Sequence, residues 1–272
     1  MPSGTSHREF TVGLVRAFGG ALIYSMPTFL TVELWYMGFY IDRLRLILLI
    51  LVMFPVLIGL SHFRGFARTI HWKDDVLDVC VAFGVGFVTA AVMLPLFSIV
   101  RFGMSADEVV GKATILAIPG ALGALTARSR FAGHQRDMQR KSRRAGYAGE
   151  LFFMLVGALF LSLTLAPTRE LVLLPQMISW GHSLALVAVT LLVMQAFAHA
   201  FHGEEGRSQY ALVWRTFFRL TAPGFAIALL VSLYMLWSFS RTEGFALEQL
   251  VRSTLVLAFP ASIGAAAARV IL

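Results

Sequence analysis

Charge is what this chain has least of. Asp, Glu, Lys and Arg together make up 14% of its 272 residues, while 58% are hydrophobic and the mean hydropathy is +0.75. A soluble globular domain carries about 25% charged residues, so that class is excluded and a polytopic membrane protein is expected. Cysteine is nearly absent. Cys80 stands alone in an apolar run, which rules out an intramolecular disulfide and leaves the redox compartment unread. The short motifs of enzymatic chemistry are missing too: there is no HExxH, GxSxG, P-loop or CxxC, and no GxGxxG after a strand. No catalytic residue, metal ligand or cofactor is therefore assigned, and the chain is not expected to be an enzyme.

Long apolar runs are abundant. They fall at about residues 11–35, 44–61, 76–100, 109–127, 151–167, 178–201, 216–239 and 250–272, each near the twenty residues that cross a bilayer core as a helix. The fold class expected is an all-α membrane protein of about eight transmembrane helices. The first run is long, carries Arg16 near its start and lacks a small-x-small exit, so it is expected to stay as a membrane helix and not to be cleaved.

The runs repeat. A shift of 141 residues places Leu116-Ala117-Ile118-Pro119, Gly123, Ala124, Ala127 and Arg128 on Leu257-Ala258-Phe259-Pro260, Gly264, Ala265, Ala268 and Arg269. A shift of 137 places Gly20-Ala21-Leu22, Ser25 and Glu33-Leu34 on Gly157-Ala158-Leu159, Ser162 and Glu170-Leu171, and a shift of 138 places Leu46, Leu48, Phe63 and Gly65 on Leu184, Leu186, Phe201 and Gly203. Matching blocks in one order signal an internal repeat. The domains expected are a first four-helix repeat over 1–127, a basic linker over 128–149 and a second four-helix repeat over 150–272. Four spans per copy is an even number, so the copies enter the membrane in the same orientation, as parallel repeats related by an axis along the membrane normal.

The basic residues set the orientation. With the amino terminus inside, the inner segments hold 16 of the 23 Lys and Arg, including the seven of the linker RSRFAGHQRDMQRKSRR at 128–144. The positive-inside rule then puts both termini in the cytoplasm. Trp35, Trp180 and Trp237 fall at outer ends and Trp72 and Trp214 at inner ends, where an aromatic belt places them. The linker's charge reads as topogenic and attractive to anionic lipid, not as a nucleic-acid site.

Acids at membrane depth are the candidate ion-pathway residues. Glu33 and Glu170 follow the same Gly-Ala-Leu-x-x-Ser pattern at the same distance, and Asp107 and Glu248 repeat at the starts of the fourth and eighth spans. Each pair has a plainer reading, as interfacial acids for the first and helix-capping acids for the second. Pro119 and Pro260 are candidate helix breaks, which in paired positions point to a transporter's binding site. The small residues that follow them could instead serve close helix packing. His199 and His202, with Glu204 and Glu205, cluster at the end of the sixth span. Two histidines are too few for a metal assignment, so solvated interfacial residues are expected there.

The segments RAFGGALIYSMPTFLTVELWYMGF (16–39), YMLWSF (234–239) and LAFPASIGAAAARVIL (257–272) resemble a family of bacterial integral membrane proteins of unknown function. The resemblance spans most of the chain and implies a protein of the bacterial inner membrane. In plan alone the two like-oriented repeats are also similar to the two-repeat potassium channels of lysosomes and bacteria. The Phe-Ser-Asp signature of those channels is missing, since Arg16 is followed by Ala17-Phe18-Gly19-Gly20. The function expected is a cation or proton channel or transporter with its pathway at the repeat or subunit interface. The alternative is a non-transporting scaffold or sensor working through the basic loop. The expected partners are the lipid bilayer, anionic lipid at the loop, an inorganic cation and a second copy of the chain in a homodimer.

Overall fold

The computed structural model describes residues 7–64, 72–97, 99–131, 146–200 and 214–271, and the regular structure among them is helical throughout. The chain divides into two compact units, Met1–Ala145 and Gly146–Leu272. Seven of the described helices are long and apolar enough to cross a membrane, and an eighth span arises if one bent pair counts as a single crossing.

Unit 1 runs α1 (His7–Phe29), α2 (Val32–Tyr40), α3 (Arg43–Arg64), α4 (Trp72–Leu96) and α5 (Ala106–Phe131). Helix α5 is the hub: it packs against each of the other four, and 89% of its span is buried. Its sequence explains why, since the run GKATILAIPGALGALTA is built of small residues that let backbones approach. A Cβ at Gly20 of α1 would come closer than 3.0 Å to Ala127 Cβ and to the carbonyl oxygen of Gly123 on α5.

Unit 2 runs α6 (Gly146–Leu165), α7 (Glu170–Met177), α8 (Trp180–Ala200), α9 (Ala222–Ser238) and α10 (Leu247–Ile271); a π-helical turn, Phe217–Thr221, leads into α9. Helix α10 is again the hub, packing against α6, α7, α8 and α9. A Cβ at Gly157 of α6 would come closer than 3.0 Å to the carbonyl oxygen of Gly264 and to Ala268 Cβ on α10. These are the residues that the shifts of 137 and 141 pair with Gly20, Gly123 and Ala127, so the two units contain the same crossing.

The first expected span, 11–35, is not one helix. It ends at Phe29, and α2 leaves it at 89°. Pro27 withholds one amide hydrogen near the break, and the Thr28 and Thr31 hydroxyls donate to the carbonyls of Ser25 and Pro27 at 2.6 and 2.8 Å, satisfying groups that a continuing helix would have used. The corresponding end in unit 2 uses the same chemistry. Pro167 follows α6, and Thr168 Oγ1 donates to Leu165 O at 2.8 Å. Apolar residues continue past Phe29, which is why hydropathy carries the first span onward to residue 35.

The prolines behave otherwise than expected. Helix α5 runs through Pro119 and α10 through Pro260 without interruption, so neither is a helix break. Both lie amid small residues, the setting in which neighbouring helices support a proline within a span. Helix also enters both ends of the stretch expected as linker, since α5 reaches Phe131 and α6 starts at Gly146. The rest of the basic run, residues 132–144, lies outside the described residues, as do the side chain of His199 and all of His202, Glu204 and Glu205.

Candidate functional site

Among the described residues, four polar clusters stand out in the apolar interiors, two in each unit. In unit 1 the short helix α2 lies on the start of α5, where Gly38 meets the backbone of Gly111 and Lys112. That close approach buries Lys112, which is 1% exposed. Its ammonium lies 2.5 Å from Glu108 Oε1, one turn earlier, and stands 5.6 and 5.9 Å from the ring centres of Trp35 and Tyr36. The two rings stack at 4.6 Å. A cation this deep is tolerated because a carboxylate and two aromatic faces replace part of its hydration.

Unit 2 solves the same problem with different residues. Arg252, one turn into α10, pairs with Glu248, donates to the Ile178 carbonyl at 3.0 Å and lies over the Trp180 ring at 4.8 Å. In each unit a cation near the start of the hub helix is held by the acid four residues before it and by an indole from elsewhere in the unit. In the sequence Lys112 and Arg252 stand about one turn beyond the repeated acids Asp107 and Glu248, but nothing there shows what surrounds them.

The third cluster joins the end of α3 to the start of α4. Asp75 has a side chain only 3% exposed, yet it is a carboxylate in an apolar span. His62 Nδ1 lies 3.2 Å from Asp75 Oδ2, and Ser61 Oγ is 3.5 Å from Oδ1. The His62 side chain is 67% exposed, so the pair links the buried acid to the surroundings. In the sequence, Asp75 looks like the end of a polar loop, and its burial had no signal.

The fourth cluster gathers at the end of unit 2 where α6 begins and α10 ends. Arg269, with a side chain 8% exposed, has its Nε 3.9 Å from Glu150 Oε2, and Arg219 lies over the Tyr147 ring at 5.5 Å. Beside Arg269 is a small open cleft lined by Met154, Met194, Phe197, Leu220 and Thr221 among others. Thr221 at the end of the π-helical turn donates to Gln195 Oε1. A π-turn inserts a residue into a helix and is often kept where it re-aims a side chain.

The residues expected from sequence are distributed as follows. Glu33 is half-buried in the first turn of α2, and Glu170 is exposed in the first turn of α7. Asp107 is exposed and pairs with Arg43 at 2.8 Å, while Glu248 is the partner of Arg252. Asp107 lies in the first turn of α5, where the helix dipole favours an acid, while Ser105 Oγ is the side-chain cap, accepting from the Glu108 amide at 3.3 Å. No group of three or more His, Cys, Asp or Glu able to hold a metal ion occurs among the described residues.

The family model described as "Putative integral membrane protein (DUF2391)" matches residues 13–272. The chain belongs to that family. As a DUF2391 protein it is a multi-pass integral membrane protein, and its long helices expose apolar side chains suited to contact with a lipid bilayer. No curated protein and no solved structure matches the chain. The match covers all four polar clusters of this DUF2391 chain.

Proposed function

We propose that this protein moves protons or inorganic cations across the bacterial inner membrane, as a channel or transporter. In this reading both termini are cytoplasmic, so Asp75 and His62 lie toward the cytoplasmic face and form a point where the ion enters or leaves. The working form is a homo-oligomer, most simply a dimer, assembled through part of the apolar surface that helices such as α3 and α8 leave uncovered. Only 22% of the α8 span is buried within the chain.

The observation that carries the reading is the burial of Asp75 against an exposed histidine. An ionised carboxylate in an apolar span costs several kcal/mol unless paired, and a sequence with so few charges would be expected to shed one that served nothing. Histidine exchanges protons readily near neutral pH. An exposed imidazole touching a buried carboxylate is therefore a short relay between water and the helix interior.

The test is flux in proteoliposomes under H⁺, K⁺, Na⁺ and Ca²⁺ gradients, with wild type, Asp75→Asn and His62→Gln. The reading expects flux of at least one ion in the wild type and its loss in Asp75→Asn. Wild-type flux that Asp75→Asn leaves unchanged would remove Asp75 from the pathway.

A second reading, a scaffold or sensor acting through the basic loop, draws support from the packing. Gly20 on Gly123 and Gly157 on Gly264 bring backbones into contact and leave little room for a solute within those crossings. Absence of flux for every ion in the wild type would favour it.

A further inference from the structure

We propose that the N-terminal end of the α9 span is a seat for the headgroup of one anionic phospholipid. The span begins at Trp214, so its first residues stand at an end of a membrane-crossing segment. Two stripes run side by side there. Trp214 and Phe218 are 62% and 66% exposed and stack on each other at 5.8 Å with planes 20° apart. Arg215 and Arg219, each one residue further along, are exposed as well. Arg219 does not wave freely: its guanidinium is held over the face of Tyr147 from α6 at 5.5 Å.

A phospholipid fits this pairing of chemistries. Its phosphate diester offers anionic oxygens that planar guanidinium groups bind with two parallel hydrogen bonds. Its glycerol and first methylenes need an apolar surface at headgroup depth, which an indole and a phenyl ring provide. The π-helical turn contributes by register. Within Phe217–Thr221, Phe218 and Arg219 face outward, while Leu220 and Thr221 face inward and are buried.

Unit 1 supplies the contrast that makes the seat specific. Trp72 and Lys73 match Trp214 and Arg215 at a shift of 142, but Leu77 then stands where Arg219 does, and Asp75 and Asp78 fall where unit 2 has Phe217 and Leu220. The same position in unit 1 therefore carries one cation among acids. Of these two matched stretches, the one in unit 2 has arginine at both positions and the one in unit 1 has a single lysine.

The experiment is native mass spectrometry of the full chain in mild detergent, titrated with phosphatidylglycerol or with phosphatidylcholine of the same acyl chains. The proteins are wild type, Arg215→Gln, Arg215→Gln with Arg219→Gln, and Lys73→Gln as the matched charge change in unit 1. Because both arginines are exposed, all variants are expected to fold, and the single Arg215→Gln variant is read if the double one does not. The wild type is expected to retain a first phosphatidylglycerol in preference to phosphatidylcholine. Its affinity should fall about fivefold for each guanidinium removed, with Lys73→Gln near wild type. Equal retention of the two lipids, unchanged affinity in the arginine variants, or an equal loss in Lys73→Gln would overturn the seat. Displacement of the lipid by millimolar inorganic phosphate would overturn it too, since the site would then recognise phosphate without the lipid.

Discussion

The ammonium of Lys112 lies 2.5 Å from Glu108 Oε1 on the same helix, and the lysine is 1% exposed. The two charges belong to one i, i+4 pair, but the burial of Lys112 is imposed by α2, which covers its ammonium with Trp35 and Tyr36. Removing one partner leaves the other charge uncompensated, at a cost of about 3–5 kcal/mol. Glu108→Gln is therefore expected to destabilise the protein by that order, and Lys112→Met combined with Glu108→Gln by clearly less. Unfolding titrations in mixed micelles would show it, and a double variant as unstable as Glu108→Gln alone would contradict the pairing.

Gly19 and Gly20 are neighbours with opposite surroundings. A Cβ at Gly19 meets nothing within 4 Å, while one at Gly20 overlaps α5. Overpacking of this kind costs about 1–3 kcal/mol, whereas Gly to Ala in an open helical position gains about 0.5–1 kcal/mol. Gly20→Ala should lower the melting temperature in detergent and Gly19→Ala should hold or raise it. Gly157→Ala is expected to behave as Gly20→Ala does, because the crossing is the same.

The flux assay can rank the acids. Asp75→Asn is expected to reduce transport more than Glu33→Gln combined with Glu170→Gln, since Asp75 is buried and Glu170 is exposed. The reverse order would return the pathway to the repeated glutamates.

Reporter fusions test the orientation. One placed after Arg140 should read cytoplasmic, and ones near Gly244 and after residue 105 should read external. Gly244 and residue 105 sit in the turns before α10 and α5. The opposite pattern would invert the assignment and place Asp75 on the far face.

Much of the helical plan was legible because a bilayer-crossing helix announces itself by composition over some twenty residues. The crossing glycines were legible for a different reason. Gly20, Gly123, Gly157 and Gly264 were matched as a pattern in sequence, and each occupies a place where a side chain does not fit. The bend after Phe29 was hidden, since the apolar run FLTV continues through it and hydropathy has no directional content. Its local trace was the Pro-Thr pair, 27–28, which recurs at 167–168. The charged clusters were harder. Glu108 and Lys112 could be paired from their spacing, but the aromatic cover comes from a helix some seventy residues earlier. Asp75 reads as loop until α3 and α4 are seen to enclose it.

The right-angle bend between α1 and α2 gives unit 1 a float. With α1 along the bilayer normal, α2 lies in the plane of the lipid surface, and it presents Val32, Tyr36, Phe39 and Tyr40 outward. The same short helix is fastened to the hub through Gly38 on Gly111 and Lys112. A displacement of α2 therefore reaches α5 directly, at the turn that holds the buried Lys112 ammonium.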